Sequence, residues 1–135
     1  MGNVGSGFLG FVIGTVVIYL WVVGELPLVA SLIILAVFWV DAGYTLCVRI
    51  VTRQPVASAH RSHLYQNIAR RFGHGWTTAF FWMFSIVWLA PLVSLNSKFE
   101  AYGLLFLALA CAPALVACIV LKAGLPRRTE LVDDP

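Results

Sequence analysis

Apolar and polar positions fall along this chain in long blocks rather than in the short periods of a soluble protein. Uncharged runs extend from Val4 to Gly24, Leu26 to Val40, Trp76 to Ser97 and Ala101 to Leu121. Each approaches or exceeds the roughly 20 residues a helix needs to cross about 30 Å of hydrocarbon. The second run resumes after Asp41 and continues to Val48. The pattern predicts a single all-α membrane domain over residues 1–135, a polytopic transmembrane helix bundle. Its four transmembrane helices run from about Ser6 to Val23, Pro27 to Val48, Trp76 to Leu95 and Ala101 to Leu121.

A loop from Arg49 to Gly75 separates the second and third spans, and a tail from Lys122 to Pro135 follows the fourth. Within the loop, Ser58 is placed to cap a helix that Gly73 can end, with Leu64, Ile68 and Phe72 at four-residue spacing. This amphipathic helix has two expected placements: at the bilayer surface with its apolar stripe inward, or packed on the bundle. At the other end of the chain, Asn3 or Ser6 can cap the first helix, and Gly10 and Gly14 form a GxxxG face that admits a neighbouring helix. Pro27 suits a helix start. Pro91 and Pro113 are expected to kink the helices that contain them.

Composition narrows the class. Only 11% of the 135 residues are charged, 61% are hydrophobic and the mean hydropathy is +0.91, too few charges to cover a soluble globule. Arg49, Arg53, Arg61, Arg70 and Arg71 lie in the long loop and Lys122, Arg127 and Arg128 in the tail, leaving Lys98 alone elsewhere. Positive residues flanking spans stay cytoplasmic, so both termini and the loop are expected on the cytoplasmic side of the membrane. No positive residue precedes the first apolar run, which argues against a signal peptide. The net charge of +3 therefore points to membrane lipid head groups or a phosphorylated substrate, not to nucleic acid. Cys47, Cys111 and Cys118 fall inside predicted helices as small apolar packers.

Candidate chemistry concentrates in the loop. His60 and His63 share a helix face, and with Arg61, Tyr65 and Gln66 they supply donors suited to the oxygens of a diphosphate. Metal binding by these histidines, or a solvated basic loop without a ligand, are the other readings of the same spacing. Asp41 is the one acidic residue inside a predicted helix, about 12 Å from Arg49 at the helix's cytoplasmic end. Intramembrane carboxylates usually serve function. The structural reading has Asp41 bonded to Thr45 one turn on, or paired with a cation near the interface.

Two segments carry a family resemblance. Gly2-Asn3-Val4-Gly5-Ser6-Gly7-Phe8-Leu9-Gly10 resembles a Gly-Asp-x-Gly-Ser-x-x-Leu-Gly motif. The stretch from Asp41 to Arg49, followed by His60-Arg61-Ser62-His63-Leu64-Tyr65-Gln66, resembles an Asp-Thr helix and histidine loop. Both belong to the polyprenyl-phosphate N-acetylhexosamine-1-phosphate transferases, the glycosyltransferase 4 family, of which this chain resembles the C-terminal part. The likeness is strongest to the bacterial O-antigen and lipopolysaccharide branch, which implies a multi-pass protein of the bacterial inner membrane. It implies transfer of a sugar-1-phosphate from a UDP-sugar to undecaprenyl phosphate, with His60, Arg61 and His63 at the substrate diphosphate and Asp41, Arg49, Tyr65 and Gln66 in support. The family's Mg²⁺-binding aspartate stands here as Asn3, a poorer ligand for a hard cation. The family's paired aspartates precede the matched region, so the expectation is an isolated chain that is inactive and a partner in a separately encoded N-terminal half.

Two other classes fit the composition. One is a non-catalytic assembly or scaffold subunit packing through Gly10 and Gly14. The other is a small proton-coupled transporter using Asp41, for which the chain offers no deep charged partner.

Overall fold

The computed structural model describes residues 3–54 and 62–125. The described residues are helical, without strands, in the order α1 Asn3–Val22, α2 Leu28–Ile34, α3 Ala36–Val51, α4 Leu64–Phe84, α5 Ala90–Lys98 and α6 Gly103–Val120. A π-helical turn, Ser85–Leu89, joins α4 to α5, and a 3₁₀ turn, Glu100–Tyr102, leads into α6.

The stretch Leu64–Lys98 and the stretch Glu100–Val120 are each long and apolar enough to cross a membrane. The pair α2 and α3 makes a third if counted as one span, and the apolar helix Gly7–Val22 is shorter. Over the described residues the protein is thus all-helical, with helices suited to a membrane.

The second predicted span is not one straight helix. It breaks at Leu35 (φ −91°, ψ 6°), and α2 and α3 are bent by 73°. No Pro or Gly marks the place. Helix ends leave carbonyls without partners, and here the indole N–H of Trp39 donates to the carbonyl of Leu32 at 3.0 Å. Ile33, Ala36 and Val37 on both sides of the break are buried in one apolar cluster with Leu89, Leu92 and Ala110. Packing on both limbs therefore holds the bend.

A second cluster lies further along α3, where Val40 meets Leu64, Ala114, Cys118 and Ala123. Ala110, Ala114 and Cys118 follow at four-residue spacing on α6 and are all buried. Small side chains let α6 approach α3 closely, which in a membrane replaces the hydrophobic driving force between helices. After α6 the chain turns through Gly124 (φ +80°), where a Cβ would lie 2.9 Å from Cβ of Val48 and 3.0 Å from the carbonyl oxygen of Thr45. Only glycine suits that crossing.

The expected amphipathic helix is present with different bounds. It starts at Leu64, with His63 as N-cap, rather than after Ser58, which lies outside the described residues. The acceptors that fix this start come from Gln66, within the helix, and from Asp41, a contact across the fold that no local capping rule contains. Gly73 (φ 81°, ψ 162°) interrupts α4 as expected, and the apolar helix resumes immediately beyond it. Leu64 and Ile68 of the expected stripe pack on the bundle, whereas Phe72 is 63% exposed.

Of the two expected proline kinks, Pro91 follows the π-helical turn, whose wider ring absorbs the missing N–H. Pro113 lies inside α6, which runs through it as one α-helix. α1 packs chiefly against α2, and a Cβ added at Gly7, Gly10 or Gly14 would meet nothing within 4 Å.

Candidate functional site

The site begins with one buried carboxylate. Asp41 sits near the start of α3, buried at 7% exposure, where an unpartnered charge would be costly. Its Oδ1 accepts from the backbone N–H of Leu64 at 2.8 Å and from the Thr45 hydroxyl at 3.2 Å, and its Oδ2 accepts from the N–H of Tyr65 at 3.4 Å. The first N–H groups of any helix lack intrahelical partners and carry partial positive charge. Asp41 supplies both acceptor and counter-charge to α4 from 23 residues upstream.

His63 completes the junction. Its Nδ1 lies 3.5 Å from Oδ1 of Asp41, an ion pair when the imidazole is protonated. The backbone N–H of His63 donates to Oε1 of Gln66 at 3.2 Å, the return half of a capping box. The His63 ring stacks against Tyr65, with centroids 6.2 Å apart and planes at 25°. Of the residues singled out from the sequence, Asp41, His63, Tyr65 and Gln66 therefore meet at one helix start. Arg49 is buried in the last turn of α3, where its charge sits at the carbonyl end of that helix. His60 and Arg61 lie outside the described residues, as does the side chain of Asn3, which opens α1.

Sequence reasoning missed the residues that lock this junction to the end of α6. The Asn67 side-chain amide donates to the carbonyl of Leu121 at 3.2 Å. The Gln54 amide donates to the carbonyl of Gly124 at 3.1 Å, and the N–H of Gly124 donates to the carbonyl of Ser62 at 2.9 Å. Asn67 is nearly fully buried, and its place between Leu64 and Ile68 on the packed face of α4 was the available signal.

From this junction a groove of about 790 Å³ runs between α2–α3 and α4. Asp41, His63 and Tyr65, in mutual contact, make its polar end, and His74 lines it as well; Ile34, Val37, Phe38, Phe81, Trp82 and Leu89 line the rest. Thr77, Thr78 and Ser85 also face it, but their hydroxyls donate to the carbonyls of Gly73, His74 and Phe81 on their own helix at 2.8, 3.0 and 2.8 Å. The walls are in effect apolar. An apolar trough with a few convergent polar groups at one end is the shape that takes an amphiphile.

The Mg²⁺ ion that the resemblance implies does not fit the described residues. No three of their His, Cys, Asp and Glu side chains come together to hold a metal, and both oxygens of Asp41 are engaged by backbone N–H groups. No protein-family model, curated protein or solved structure matches this chain.

Proposed function

We propose that this chain is the C-terminal, four-span part of a polyprenyl-phosphate sugar-1-phosphate transferase of the glycosyltransferase 4 type. α1 and the bent pair α2–α3 serve in this reading as the first two spans. The observation that carries it is the meeting of Asp41 with His63, Leu64 and Tyr65 at the polar end of an apolar groove. The aspartate helix and the histidine loop, the two parts of the second segment behind the resemblance, meet in that contact of Asp41 with His63.

In this reading the groove takes the polyprenyl chain and its polar end takes the lipid phosphate beside His63 and His74. The UDP-sugar approaches from the cytoplasm along the histidine loop, with His60 and Arg61 at its diphosphate. An oxygen of the lipid phosphate attacks the sugar-bearing phosphorus, the P–O bond to UMP breaks, and UMP leaves. Asp41 is a positioning residue: by holding the start of α4 it fixes His63 and Tyr65 at the entrance.

The test joins this chain to the N-terminal spans of a family enzyme. Membranes carrying the fusion receive a radiolabelled UDP-N-acetylhexosamine and undecaprenyl phosphate. The reading predicts a solvent-extractable labelled lipid that His63→Ala abolishes. No labelled lipid from any such fusion overturns it.

A second reading, a non-catalytic assembly subunit, is favoured by the open glycine face of α1. That reading predicts that His63→Ala leaves association with a partner membrane protein unchanged.

A further inference from the structure

The helix start that Asp41 holds has a second face. At 100° per residue, Tyr65, Ala69 and Phe72 form one edge of the Leu64–Phe72 segment, distinct from the Leu64–Ile68 edge that enters the bundle. Tyr65 and Ala69 border the groove, so this edge faces the same side as its apolar walls. Tyr65 is 49% exposed, Phe72 63% and Trp76, one turn beyond Gly73, 78%. By the same step Arg70 and Arg71 flank this edge on its two sides, roughly 100–160° round the helix, and are exposed too. Beyond Gly73 the chain continues through the rest of the Leu64–Lys98 stretch, which is long and apolar enough to cross a membrane.

Aromatic rings with polar tips settle where acyl chains meet head groups, and arginine side chains lie along apolar surface with the guanidinium among phosphates. A short helix that leads through the break at Gly73 into a membrane span, with two exposed aromatics of its own, a third just beyond the break and two arginines, matches that boundary in both polarity and charge. The sign of the charge selects the lipid: the cytoplasmic leaflet presents anionic head groups. We infer that the Leu64–Phe72 segment, with Trp76, is a docking surface for acidic phospholipid head groups, bound through Arg70 and Arg71. This surface serves the protein whatever reaction it takes part in, and independently of the transferase reading.

The test uses the full chain in nanodiscs of equimolar phosphatidylglycerol and phosphatidylcholine, without polyprenyl phosphate. Native mass spectrometry counts the lipids that stay bound on release. Wild type retains phosphatidylglycerol in excess, and each arginine contributes on the order of fivefold. The double variant R70Q/R71Q loses that excess, whereas Lys98→Gln, which removes a positive charge elsewhere in the chain, keeps it. Retention by wild type in the supplied ratio overturns the inference. So does an excess that survives R70Q/R71Q, or one that Lys98→Gln removes equally.

Discussion

Oδ1 of Asp41 and the backbone N–H of Leu64 lie 2.8 Å apart, so a carboxylate on one membrane helix caps the start of another. The contact explains how an acidic residue is retained in an apolar span. It also ties the bundle to the segment that carries His63, so a change at Asp41 acts on the polar end of the groove without touching a ligand.

Removal of that cap has a defined cost. Asp41→Ala leaves the N–H groups of Leu64 and Tyr65 without their acceptor and is expected to destabilise the fold by about 1–3 kcal/mol. Asp41→Asn keeps one acceptor oxygen and recovers roughly half of the loss. Thermal unfolding in detergent, followed by circular dichroism, ranks the three proteins; equal midpoints contradict the capping role.

Two glycines should respond oppositely to alanine. Gly124→Ala drives a Cβ to 2.9 Å from Val48 in a left-handed conformation, and is expected to cost about 1–3 kcal/mol. Gly14→Ala meets open space inside α1 and is expected to be neutral or to stabilise the helix by about 0.5–1 kcal/mol. The same unfolding measurement reads both. A stable Gly124→Ala protein contradicts the tight crossing of the final turn over α3.

The α3–α6 seam predicts a size limit. Ala114 is buried opposite Val40, and Ala114→Leu forces the helices apart at an expected cost of about 1–3 kcal/mol. Ala108→Leu, on an exposed part of the same helix, serves as the comparison and should unfold with wild type. Equal loss in both variants contradicts close packing as the cause.

Much of this organisation was legible in the sequence. Blocks of apolar residues mark the helices because lipid imposes one long requirement on composition, and Gly73 stood out as a helix stop because its backbone conformation is rare for other residues. The bend at Leu35 was not legible. It depends on Trp39 reaching back to Leu32 and on packing against Leu89 and Ala110, which are far away in sequence. The start of the loop helix differs from the expected one for the same reason: beside the local Gln66, its cap comes from Asp41, and capping rules search only neighbouring residues. In the site, Asp41 with Thr45 was among the readings open from sequence, whereas Asn67, Gln54 and Gly124 are joined only by the fold.

The polar end of the groove predicts head-group selectivity. Native mass spectrometry of the purified chain should show undecaprenyl phosphate retained over undecaprenol, and His63→Ala or His74→Ala should each reduce that preference about tenfold or more, the loss of one charge-assisted hydrogen bond. Equal retention of phosphate and alcohol contradicts a phosphate site beside these histidines.

The most direct test of the account is to locate the lipid chain itself. Undecaprenyl phosphate bearing a diazirine in its proximal isoprene units is bound to the purified chain, irradiated, and the labelled peptides are mapped by mass spectrometry. The account predicts label on the groove walls, from Val37 to Ala42 on α3 and from Thr77 to Ser85 around the end of α4, displaced by unlabelled undecaprenyl phosphate and not by undecaprenol. Label spread over the outer faces of α1 and α6, undiminished by competitor, would contradict it.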